Sequence, residues 1–140
     1  MSYAAATDLA LRLGRAYDSL YRDHADAAEE DLAQAAAEID AYLGGRYAVP
    51  VTAAAALVLL RDWNLTLAEE KAYARAGGVE TPEKVIRRVD AARKALRDAA
   101  SGLLRLPGAA EAAEGGSGAA GAVVIEIEPP IFGRKRMKGY

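Results

Sequence analysis

The sequence predicts a mainly helical fold: a small bundle of about four to five helices, followed by a flexible linker, one C-terminal β-strand and an extended tail. Three observations lead there. Alanine supplies much of the 52% hydrophobic content, and alanine favours helix because it loses no side-chain entropy on ordering. Larger apolar residues recur at spacings of three and four in several segments. Glycine or proline punctuates the ends of those segments. Alanine buries little surface, so the core must rest on a few Leu, Ile, Val and Tyr residues around one Phe and one Trp.

Thr7 reads as the cap of a short helix, Asp8 to Leu13, stopped by Gly14. Arg15 to Tyr21 forms another turn or two, and Asp23 to Asp26 is turn-like. A longer helix follows from about Ala27 to Leu43, where Leu32, Ala36, Ile39 and Leu43 make one apolar stripe before Gly44 and Gly45. Tyr47 to Val51 is extended, because Pro50 disfavours helix at Val49. The next helix runs from Thr52 to roughly Ala76. Leu57, Val58, Leu59, Leu60, Trp63, Leu65 and Leu67 cover more than one of its faces, which predicts a central helix packed on several sides. After Gly77 and Gly78, Thr81-Pro82-Glu83 signals a new helix start, continuing to about Ala100. Val85, Val89, Ala92, Leu96, Ala99 and Leu103 form its inward stripe, while Glu83–Arg87, Asp90–Lys94 and Lys94–Asp98 are spaced to pair on its outer side.

These readings divide the chain into a helical domain over 1–106, a linker over 107–121 and a C-terminal arm over 122–140. The linker holds Ala, Gly, Glu and Ser with no large apolar residue. Ala122 to Glu128 reads as a strand with Val123, Ile125 and Ile127 on one face, ended by Pro129-Pro130. A lone strand needs a partner for its backbone groups. That partner is either another chain, by strand addition, or the Tyr47 to Val51 segment; the remaining alternative is an arm left unordered in the free protein.

Charge is unevenly spread within a net −2. Asp23 to Asp40 carries seven acidic residues and no Lys or Arg, whereas Arg134 to Lys138 carries four basic residues and no acid. Such a split suits contacts between copies or with partners. The absence of Cys excludes disulfides and thiolate metal sites, and fits assembly in a reducing cytoplasm. No signal peptide is evident, and the longest apolar run, Ala53 to Leu60, is too short to span a bilayer.

Catalytic constellations are missing. His24 is the only histidine; with Asp23 and Asp26 nearby it reads as a solvated loop residue, and Ala25 and Ala27 stand where a calcium loop needs oxygen ligands. Ser117 lies among linker glycines, not at a strand-to-helix elbow. No phosphate-binding glycine loop is present. These observations exclude a recognisable nucleophile, metal or cofactor site, and no enzyme is expected. A helical DNA-binding regulator is the alternative: the basic helix over 82–101, with Arg87, Arg88, Arg93, Lys94 and Arg97, follows a helix and a glycine turn in a helix–turn–helix-like outline.

Several stretches resemble a known family. Ile39-Asp40-Ala41-Tyr42-Leu43, then Arg46-Tyr47, then Pro50, is similar to a signature of the Mu-like phage head–tail connector family. So is the pattern of Val85, Arg88, Ala92, Leu96 and Gly102, the opening Thr7-Asp8-Leu9 with Arg12 and Gly14, and the closing Ile131-Phe132 with Arg134, Arg136 and Lys138-Gly139-Tyr140. The motifs occur in order over nearly the whole chain. Val89 departs from the pattern, standing where relatives often carry an aromatic residue.

The resemblance implies a structural adaptor in the neck of a tailed-phage virion, assembled in the host cytoplasm. Such subunits form a ring, usually dodecameric, on the portal protein, extending the DNA channel and joining head to tail. The expected partners are further copies, the portal, the next neck or tail protein, and DNA contacted without sequence preference. The residues expected to engage a partner are Val123, Ile125, Ile127, Ile131, Phe132, Arg134, Lys135, Arg136, Lys138 and Tyr140.

Overall fold

The computed structural model describes residues 2–112. Five helices follow in chain order: α1 (Ala6–Leu13), α2 (Arg15–Leu20), α3 (Ala27–Leu43), α4 (Ala54–Arg75) and α5 (Glu83–Ser101). α4 touches every other helix, as its apolar residues on several faces require. α3 and α5 pack against α4 and against each other, and α1 and α2 close the bundle from the N-terminal side. Leu32, Ala36, Ile39 and Leu43 of α3 are all buried, as are Leu60, Trp63, Leu65 and Leu67 of α4 and Val85, Val89, Ala92, Leu96 and Ala99 of α5. No helix among the described residues is long and apolar enough to cross a membrane.

The mixed fold expected from the sequence needs correction. Among the described residues there is no strand, only one isolated antiparallel bridge between Tyr47 and Glu111. The fold is a five-helix bundle. The anticipated strand over 122–128 lies outside the described residues. The extended Tyr47 segment, weighed as its partner, is instead paired with residues 110–112: Ala48 N–H donates to the Ala110 carbonyl at 2.9 Å, and Ala112 N–H to the Arg46 carbonyl at 2.9 Å. Residues 107–112, Ala- and Gly-rich like the rest of the expected linker, therefore return along the bundle. Leu106 is buried ahead of them, and its N–H donates to the Tyr47 hydroxyl at 3.3 Å.

Smaller differences lie at helix ends. α1 begins two residues before Asp8, and the Asp8 carboxylate accepts from Ala5 N–H at 3.1 Å, so Asp8 satisfies the helix start where Thr7 was expected to. Pro82, with extended backbone, is itself the N-cap of α5, and its carbonyl accepts from Val85 and Ile86 N–H. Leu103, expected in the α5 stripe, is 82% exposed. The left-handed Gly102 (φ 90°) ends the helix one residue earlier and turns Leu103 outward.

Gly102 is constrained twice. Its φ is unfavourable for any residue with a Cβ, and a Cβ built there would meet the Arg46 guanidinium carbon at 2.8 Å. Gly102→Ala is expected to lower stability by about 1–2 kcal/mol from the left-handed conformation alone, with displacement of Arg46 adding to it, as read by denaturant unfolding. Leu60 is fully buried on α4. Leu60→Ala should cost about 2–5 kcal/mol, and an unchanged melting temperature would remove Leu60 from the core.

Candidate partner-binding surface

The charged residues of the helical domain are mostly turned on one another. Arg93 of α5 is the clearest case. Its Nε donates to Glu38 of α3 at 2.8 Å, and its Nη1 and Nη2 donate to the Glu70 carboxylate of α4 at 3.0 and 2.7 Å. Lys71 adds a further contact to Glu38 at 3.6 Å. The Arg93 hydrogen bond, ahead of its charge, holds the Glu38 carboxyl below its ordinary range, and the two carboxylates raise Arg93 in turn. One guanidinium thus joins three helices in the bidentate geometry that arginine allows.

A second cluster fixes the start of α3. Asp31 is buried; it accepts from the Tyr21 hydroxyl at 2.8 Å and from Arg75 Nη2 at 2.6 Å. Burial, then the bond to Asp31, pushes the Tyr21 hydroxyl well above its ordinary value. Near α1, the Tyr3 hydroxyl donates to Asp40 and accepts from Val51 N–H at 3.1 Å. Burial and the Asp40 bond raise Tyr3 to about 12. Asn64, fully buried, accepts from Tyr3 N–H at 2.8 Å and donates to the Leu32 carbonyl at 3.0 Å.

Much of the acidic run is therefore internal. Asp31, Glu38 and Asp40 are engaged within the subunit, leaving Asp23, Asp26, Glu29 and Glu30 as its exposed part. The same geometry weakens the DNA-regulator alternative. Arg87 pairs with Glu83 at 2.8 Å, Lys94 with Asp98 at 3.0 Å and Arg88 with Glu69 at 3.3 Å, so four of the five basic residues named for phosphate contact, Arg93 included, face carboxylates.

His24 lies on the exposed α2–α3 connection beside Asp23 and Asp26, and among the described residues no group of three or more His, Asp and Glu is placed to hold a metal ion. The signature residues Ile39, Leu43 and Tyr47 are buried, and Asp40 and Arg46 tie neighbouring segments: their spacing serves the fold. The expected partner residues, Val123 through Tyr140, lie outside the described residues.

Several exposed apolar residues escaped sequence reasoning. Leu11 of α1 and Val58 of α4 are 83% and 72% exposed, and they line one groove with Ala54, Leu57 and Leu65. At the other end of α4, Val79 and Ile86 are about half exposed. No local signal marked them, since exposure of Leu11 and Val58 depends on what stands opposite each.

The bundle is thin and alanine-rich, pairs many of its charges between helices and exposes apolar side chains on α1 and α4. A family model described as "Bacteriophage Mu, Gp36" matches residues 3–125, and the chain belongs to that family. It is a structural head–tail connector, or adaptor, of a tailed phage or phage-like particle, and not an enzyme. No curated protein and no solved structure matches it.

Glu69 offers a pH test of this packing. It is buried on α4, with Arg88 at 3.3 Å and Arg12 at 3.9 Å, and its Oε1 has no hydrogen-bond partner. Burial outweighs the two arginines and raises its pKa. A carboxyl whose folded pKa lies above its unfolded value binds more protons when folded, so its contribution to stability falls as pH rises from the unfolded value through the folded one. Glu69→Gln should remove that fall, measured as the difference in unfolding free energy between the two proteins across the window above pH 4.5. Parallel profiles would exclude a raised Glu69.

Proposed function

We propose that the subunit works as one copy of a closed ring, dodecameric as the family resemblance implies, seated on the portal and extending the DNA channel toward the tail. The observation that carries this reading is the family membership across residues 3–125. The distribution of apolar surface supports it. A ring built head to tail needs two different patches on each subunit. The Leu11–Val58 groove lies against the first half of α4, a helix about 33 Å long; Val79 and Ile86, each about half exposed, follow its other end, and α1 and α5 do not touch.

In this reading the C-terminal arm joins the ring to the portal or to the next neck or tail protein. Val123, Ile125, Ile127, Ile131 and Phe132 supply apolar contacts, and Arg134, Lys135, Arg136 and Lys138, with Tyr140, meet acidic surface on the partner. DNA in the channel is touched weakly and without sequence preference, because the net charge is −2 and most arginines of α5 are already paired. Assembly takes place in the host cytoplasm, where a chain without Cys has no redox requirement.

The test is the mass of the full-length species alone and with portal protein. A discrete ring mass, increased by portal, is expected. Reversing Arg134, Lys135, Arg136 and Lys138 to Glu should leave the ring mass unchanged and abolish the complex with portal. A variant that binds portal as the parent does would exclude the basic residues, and a monomer in the presence of portal would exclude the ring.

A further inference from the structure

The groove between α1 and the first half of α4 has a volume of about 570 Å³ and an apolar floor of Leu11, Ala54, Leu57, Val58 and Leu65. Leaving Leu11 and Val58 in water is unfavourable at roughly 25 cal/mol per Å² of apolar surface. The charges on its rim do not call for a charged ligand. Arg61 pairs with Asp8 at 2.5 Å and Arg12 with Asp62 at 2.6 Å, so they neutralise each other in place. The groove therefore selects an apolar occupant.

The chain itself supplies one. Beyond residue 112, most of its large apolar side chains are gathered at Val123, Val124, Ile125, Ile127, Ile131 and Phe132, with only Met137 and Tyr140 further on. The described fold also ends in the right place. A Cβ on Gly108 would stand 3.5 Å from that of Ala53, the residue just before groove-lining Ala54, and Ala112 is held on the Arg46 carbonyl at the same end of the bundle. From Ala112, the ten residues 113–122 can reach up to about 33–36 Å, against an α4 about 33 Å long. A tether this short puts the segment at an effective concentration on the order of millimolar, ahead of any second copy in dilute solution.

We propose that residues 123–132 occupy the α1–α4 groove of their own chain in the unassembled subunit, covering Leu11 and Val58. This goes beyond the ring and portal reading, and it is tested on the free protein with no partner present, so either can fail alone.

The lack of Cys makes the test direct. Val58→Cys and Ile127→Cys are introduced together in the full-length chain, and disulfide formation is followed in dilute monomer by non-reducing electrophoresis. The control pairs Ile127→Cys with Leu103→Cys, an equally exposed position closer in sequence to the arm. Both sites are on the surface, and circular dichroism verifies that each variant is folded. The expected result is an intramolecular disulfide in the Val58 pair forming about tenfold faster than in the control, since tethering alone gives both pairs effective concentrations of the same order. Adding Leu11→Asp should erase that advantage. Equal rates, no disulfide in the Val58 pair, or mainly disulfide-linked dimers would each overturn the proposal.

Discussion

The alanine content of the buried faces of α3 and α4 constrains the rest of the structure. Ala28, Ala35 and Ala36 on α3 and Ala56, Ala68 and Ala72 on α4 are fully buried. Small side chains let helices approach closely, since the distance between axes is set by the residues at the contact. Close approach gives dense packing, but each alanine removes little apolar area from water. The bundle therefore depends on a few large residues, among them Leu60, Trp63, Leu67 and Leu96, and on polar ties placed where helices come near enough to share them.

Those ties hold the charged residues that lie between helices, while others such as Arg15, Arg22, Lys84, Asp90 and Arg97 stay exposed. Arg93 bridges α3, α4 and α5; Arg75 neutralises the buried Asp31; Asn64 holds the N-terminal segment and α3 to α4. A single guanidinium satisfying two carboxylates fixes orientation as well as charge, because its donors lie in one rigid plane. Glu69 is the less satisfied member of this set, with burial outweighing its arginines. Outside these ties, Asp23, Asp26, Glu29 and Glu30 stay exposed at the start of α3, as do Leu11 and Val58 beside the α1–α4 groove.

The signature that pointed to the connector family does its work inside the subunit. Ile39, Leu43 and Tyr47 are core residues, Asp40 holds Tyr3, and the Arg46 guanidinium lies over Gly102. Together they join the end of α3, the end of α5 and the N-terminal segment. A sequence pattern can thus identify a family through residues that serve its fold.

Helix identity and order were legible in the sequence because they rest on local physics: stripes at spacings of three and four, and stops at Gly14 and Gly44. The buried stripe of α5 from Val85 to Ala99 could be read without any tertiary knowledge. Family membership was legible too, since ordered motifs survive in the chain itself. Pairing and exposure were not. Nothing local distinguishes Leu103, which is exposed, from Leu106, which is buried beside Tyr47. Nothing local marks one acid of the Asp23 to Asp40 run for burial, yet Asp31 is buried because Tyr21 and Arg75 stand opposite it. The residues after Pro107 read as linker, yet 107–112 return to pair with Tyr47 and its neighbours. Local periodicity decides which residues form a helix; burial and charge pairing depend on what another segment places across from them, and only the tertiary structure decides that.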